Sequence, residues 1–257
     1  VDLIELEVTD LIWALGMMAI AIGISSWQRL GLEKQLAIST MLTVANLLLV
    51  GYVLAIVFAV KNLWSVLAIL LVMLAIATVV ARNRIDKKLP QLLLIVGGSI
   101  LVSTALTLIY TNLLVLKPTN WYEPQYIIPL TGIVLGNAMN AAALAGERLV
   151  TAIKANQLEI ETYLSLGATP QQAIARYRQE AIRASLIPTL NSMMVVGVVS
   201  LPGMMTGQIL SGVDPLNAAA YQILIMFMLS FANLIAALLV SLGVYQQFFN
   251  PQAQLQV

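Results

Sequence analysis

The side chains in this 257-residue sequence that could act on another molecule are mostly amides, hydroxyls and thioethers set inside apolar runs. Asn137 and Asn140 lie in PLTGIVLGNAMNAAALAG, where Gly132, Gly136 and Asn140 recur every fourth residue and would share one face of a helix. Asn191 and Ser192 come next, followed by the run of Pro202, Gly203, Met204, Met205, Thr206 and Gln208. Amides and hydroxyls can replace the water around a polar solute, so the ten positions left when Gly132 and Gly136 are set aside form a candidate substrate path. Small residues at spacings of four also build close helix seams in lipid, a competing use of the same pattern. Met193, Met194, Met204 and Met205 offer thioethers, which suit a soft cation such as Cu(I). Methionines more commonly serve as adaptable packing, and no metal-ligand set is assigned.

What is missing limits the chemistry further. Cysteine and histidine are both absent, which removes disulfides, thiol chemistry, the usual zinc ligands and imidazole acid–base work. No enzyme class is favoured and no catalytic residue is assigned. The sequence holds no GxxxxGK[ST] phosphate loop, so ATP and Mg would have to act through a partner subunit. A net charge of +1 without a basic stripe argues against nucleic acid as a partner. The charged residues lie in or near the connections, so a buried proton relay or voltage sensor is not available.

The elements that must hold these residues are membrane helices. Hydrophobic residues make up 60% of the chain and charged residues 10%, with a mean hydropathy of +0.91. Soluble domains carry roughly 25% charged residues, so lipid is the expected solvent. Uncharged stretches near the ~20 residues needed to cross a bilayer fall at 9–27, 35–60, 63–80, 89–116, 126–146, 186–210 and 215–247. The expected fold is therefore all-α, a single permease-like domain over residues 1–257 with about seven transmembrane helices. The sixth stretch is interrupted by Pro202-Gly203, which should kink or break it into a gate or re-entrant element.

Charge in the connections gives an orientation. Arg29, Lys34, Arg82, Arg84, Lys87, Lys88, Arg148, Lys154, Arg176, Arg178 and Arg183 fall in alternate loops, against Lys61 and Lys117 in the others. By the positive-inside rule the N-terminus is outside and the C-terminus cytoplasmic, in a plasma (inner) membrane.

The fifth connection, 147–185, is far longer than a minimal helix–helix loop and reads as a cytoplasmic helical hairpin. Leu149, Ile153, Ile160 and Leu164 keep a near-helical spacing, and Gly167 offers a left-handed stop. Thr169, Pro170 and Gln172 form a Thr-x-x-Gln capping box with proline at the first helical position. Helix, glycine turn and helix follow. Taken by itself, the hairpin is either a solvated connector or a rigid element on which a partner acts.

The segment Glu161-Thr-Tyr-Leu-Ser-Leu-Gly167 resembles the EAA-xxx-G loop of ABC-transporter permeases, with Thr162 and Tyr163 in place of the alanines. That resemblance implies an ATPase-coupling element made of Glu161, Leu166, Gly167, Ala168, Thr169, Pro170 and Gln172. GNAMNAAALAGERL, LSLGATPQQA and VVSLPGMMTGQILSGVDPLNAAAYQI narrow it to the FetB-type permeases, which include bacterial iron-export and plant aluminium-tolerance members. That resemblance implies a separate ABC ATPase, a permease homodimer and ATP-driven export, with iron as one cargo and nucleotide sugars as another. Leu42 and Asn46 depart from the Arg and Gln of the family pattern, which puts a polar site in the second span in question. The alternative class is a non-transporting membrane scaffold or sensor that recruits a cytosolic partner.

Overall fold

The computed structural model describes residues 8–256 apart from Lys61, Lys88, Pro90, Thr119, Trp121 and Pro251. Lys61 and Lys88, counted in the charge balance, lie outside the described residues. Nine α-helices and no strands occur among the described residues: α1 Val8–Trp27, α2 Glu33–Val60, α3 Leu63–Ile85, α4 Leu92–Tyr110, α5 Pro124–Ala155, α6 Gln157–Ser165, α7 Pro170–Val195, α8 Gly203–Leu210 and α9 Pro215–Gln246. Six of them, α1 to α5 and α9, are long and apolar enough to cross a membrane. The chain is an all-α integral membrane protein.

Two compact units divide the chain, one built on α1 and α2 and the other on α3 to α9. In the first, α1 stops where Arg29 enters the left-handed region, with its N–H on Ser26 O and that of Leu30 on Ser25 O. The paired bonds are a Schellman stop, and Gly31, also left-handed, completes the reversal into α2. Trp13, Leu47 and Leu48 are exposed, as lipid-facing side chains would be.

In the second unit α5 packs against α3, α4, α7 and α9, while α9 also packs against α4 and α7. Small side chains permit this arrangement: Ala138, Ala142 and Ala145 of α5 and Ala232, Ala236 and Ala237 of α9 are fully buried. Gly146 faces Ile85 of α3, and Gly243 faces Ile95 of α4, each without room for a β-carbon. Both α5 and α9 have 32 residues, about 48 Å at 1.5 Å per residue, so they outreach the ~30 Å hydrocarbon core. The overhang of α5 is tied to the end of α3 by Arg84–Glu147 at 3.1 Å and Lys154–Asp86 at 2.6 Å.

The region expected as a sixth span is built in two pieces. α7 begins in the connection at Pro170 and runs unbroken to Val195, so the second arm of the hairpin and the start of the expected span are one helix. The break comes ahead of Pro202, at a turn in which the N–H groups of Val198 and Val199 converge on Val195 O and Gly197 adopts φ +82°. Pro202 then immediately precedes α8 and Gly203 opens it, instead of the pair kinking a continuous helix, with Pro202 O accepting from Thr206 N at 3.0 Å. A proline lacks only the amide that a first helical turn leaves unpaired, which explains why it starts a helix here.

Candidate functional site

At the α6–α7 connection the two arms are joined by a fully bonded turn. Ala168 N donates to Tyr163 O and Gly167 N to Leu164 O, both at 3.0 Å, with Gly167 at φ +90°. That is a Schellman stop, and it hands the chain directly to a capping box. Thr169 Oγ1 accepts from Gln172 N at 3.3 Å, and Gln172 Oε1 accepts from Thr169 N at 2.9 Å. The first arm is less continuous than its spacing predicted. α5 ends at Ala155, Asn156 leaves the helical region and bonds Ala152 O through its Nδ2, and α6 begins at Gln157.

Beneath this turn, Ile160 and Ile174 are fully buried and join Ala173, Tyr177, Val244 and Phe248 in the core. Burial, and secondarily the Glu159 carboxylate, push the Tyr177 phenol up to about 12, so it stays neutral across physiological pH. Gln171 Nε2 donates to Tyr245 OH and Arg178 Nε to Ser241 Oγ, both at 3.1 Å, locking the start of α7 to the end of α9. The outer face is different in character: Leu158 and Leu166 are about 80% exposed, beside exposed Tyr163, Glu159 and Glu161. A stiff knob with apolar tips and a carboxylate rim results.

Of the expected path residues, Asn137 and Asn140 come together in a cavity of about 280 Å³. Arg84, Ser185, Thr189 and Asn233 complete its polar lining, with Pro188 among them. Asn233 is 2% exposed; its Nδ2 donates to Thr189 Oγ1 at 2.7 Å, while its Oδ1 has no partner among the described residues. Asn137 Nδ2 bonds Ile133 O of its own helix at 2.9 Å. The proline at 188 removes an amide from α7 beside this cavity, and Arg84 carries the only charge on its lining among the described residues.

Asn191 and Ser192 are exposed on α7, with Ser192 Oγ turned back onto Pro188 O, and do not join that cavity. Met204 packs on the core, Met205 lines a second cavity, and Thr206 Oγ1 bonds Pro202 O at 3.1 Å. Gln208 is half-buried, and its Oε1 has no partner among the described residues. Pro202 and Gly203 lie at the start of α8, in neither cavity. Asn233, Thr189 and Gln222 escaped the sequence reading. A lone amide in FANLIAALL and another in AAYQILIM were the available signals, since amides inside apolar spans need partners.

The Uncharacterised protein family (UPF0014) model matches residues 8–249. The chain is 54% identical over 255 residues to UPF0014 membrane protein slr1647 of Synechocystis, covering 99% of this chain and 98% of that one. It is 36% identical to the Probable iron export permease protein FetB of Escherichia coli, over 95% of this chain and 93% of FetB. Protein ALUMINUM SENSITIVE 3 of Arabidopsis thaliana is 35% identical, over 95% of this chain and 88% of its own length. No solved structure matches the chain.

Proposed function

The chain belongs to the UPF0014 family of membrane proteins, and from that premise we propose that it is the membrane-spanning permease subunit of an ABC exporter driven by a separate ATPase. The observation that carries this reading is the continuity of α7. One helix starts at the bonded α6–α7 turn and reaches the polar cavity at Ser185, fifteen residues or about 22 Å away. A displacement imposed at the turn is delivered to the cavity with little lost in bending. The chain itself carries no phosphate loop, so ATP and Mg act in the partner.

In this reading Leu158, Tyr163 and Leu166 seat in an apolar groove of the ATPase, with Glu159 and Glu161 meeting a basic rim. With the two-piece α7–α8 region as a seventh crossing, the knob faces the cytoplasm with the C-terminus, the N-terminus faces outward, and the host is the plasma membrane. Two permeases pair with two ATPases. Iron export follows the name of the FetB relative, a probable iron export permease. A second cargo class is favoured by the lining: amides and hydroxyls beside Arg84, with no carboxylate, suit a hydroxyl-rich anionic solute such as a nucleotide sugar, whose diphosphate would meet the guanidinium.

Affinity purification from membranes should recover a P-loop ATPase with the chain. Leu166→Asp should abolish that recovery, and Gly167→Val should keep binding but uncouple hydrolysis from transport. Transport by the purified chain alone, with no ATPase present, would overturn the proposal and favour an independent carrier.

A further inference from the structure

Three thioethers and one orphaned amide meet at the second cavity, which measures about 460 Å³. Its lining takes Met193 from the last turns of α7, Met205 from α8, and Ala219, Gln222 and Met226 from α9. Gln222 and Met226 are four residues apart on one helix, which stacks them on the same face. The unwound backbone at Val196–Gly197 forms another wall. Gln222 is only 5% exposed, yet its Oε1 has no hydrogen-bond partner among the described residues. An acceptor buried without a partner is costly in a native structure and asks for a ligand.

We propose that Met193, Met205, Met226 and Gln222 form a binding site for a soft monovalent cation of the Cu(I) class. Thioether sulfur is a soft donor and selects such ions over hard ones. All four donors are neutral, which matches a single positive charge; a divalent ion in this apolar wall would lack the anionic ligands that offset its desolvation. Among the described residues no group of three or more His, Cys, Asp or Glu could hold a harder ion instead. The methionines sort by position: Met194 is 72% exposed and Met204 packs on the core, whereas Met193 and Met205 turn to the cavity. The donors come from three elements separated by the Gly197 turn, so movement of α8 relative to α9 would make or break the site. Its role as a transport station rests on the permease reading; the binding itself does not.

Ag(I), the redox-stable analogue of Cu(I), is the probe. The purified chain in nanodiscs should bind one Ag(I) per protein by equilibrium dialysis with elemental analysis. Combining Met193→Leu, Met205→Leu and Met226→Leu should weaken binding at least tenfold, because leucine keeps the volume but removes the sulfur. Gln222→Leu should weaken it less, and Met194→Leu should leave it unchanged. Failure of the wild type to bind Ag(I), or undiminished binding by the triple variant with native helicity, would overturn the site. Specific Ag(I) binding without stimulation of any co-purified ATPase would sustain the site and count against the permease reading.

Discussion

Asn233 of α9, which lines the polar cavity, donates a 2.7 Å hydrogen bond to Thr189 of α7, one residue beyond Pro188, while its own carbonyl oxygen is buried without a partner among the described residues. The donor is structural and the acceptor is open, so the two halves of one amide can be separated by mutation. Thr189→Val removes the bond and should cost about 0.6–1.7 kcal/mol, the range for interhelical hydrogen bonds in lipid. Asn233→Leu removes both polar atoms together and should cost less. Its effect should fall on substrate-stimulated ATPase activity of the complex, measured beside unfolding in SDS. Equal losses in both assays would assign Asn233 to packing alone.

The φ of +90° at Gly167 is a position where an added β-carbon meets no neighbouring atom, so its cost is purely conformational. Gly167→Ala should destabilise the turn by about 1–2 kcal/mol. Thr169→Ala, which breaks the capping box, should cost about 1 kcal/mol. Because neither side chain faces a span, membrane insertion should be normal while coupling falls. Hydrogen exchange at the start of α7 is the check: faster exchange confined to that turn is expected, and unchanged exchange with lost coupling would place the defect elsewhere.

How much of this was legible in the residues depended on whether the cause was local. The Thr169–Gln172 capping box and the Gly167 stop were readable because each is set by backbone groups within four residues of the side chain. The membrane class was readable because desolvation acts on every apolar run alike. Pro202-Gly203 misled as to place: the pair marks a helix boundary, but the break is made earlier by Gly197, whose need for positive φ is invisible without the fold. The partnership of Asn140 with Asn233 across a cavity was also hidden, since it depends on how α5, α7 and α9 cross. That Asn191 and Ser192 stay out of this cavity was hidden for the same reason; rotation of α7 about its axis turns them outward.

Two glycine contacts that look alike should respond differently to a methyl group. At Gly146 a β-carbon would fall 2.5 Å from Ile85 Cδ1 and 2.8 Å from its Cγ1, so relief requires the Ile85 side chain, on the last residue of α3, to turn. At Gly243 it would strike Ile95 Cγ2, a branch fixed at the β-carbon whose rotamer in a helix is stiff. Gly243→Ala should therefore be the more damaging, by about 1–3 kcal/mol, with Gly146→Ala milder. Adding Ile95→Ala to Gly243→Ala should restore part of the loss in thermal unfolding. No rescue would mean that α4 and α9 do not approach at this point.

Arg84 tests whether a charge at the cavity rim serves the solute or the scaffold. Its 3.1 Å pair with Glu147 has side chains 50% and 43% exposed, and pairs of that exposure contribute between nothing and about 1 kcal/mol. Lys154–Asp86, about two turns further along α5, ties that helix to the end of α3 and would remain. Arg84→Met should accordingly change the unfolding midpoint little. As Arg84 also lines the cavity with Asn137 and Asn140, the same variant should lower solute-stimulated ATPase activity several-fold. Arg84→Lys, keeping the charge without the planar fork, should recover part of it. If activity instead tracked ionic strength equally in wild type and Arg84→Met, screening of this charge would be irrelevant to transport and Arg84 would be confined to the helix tie.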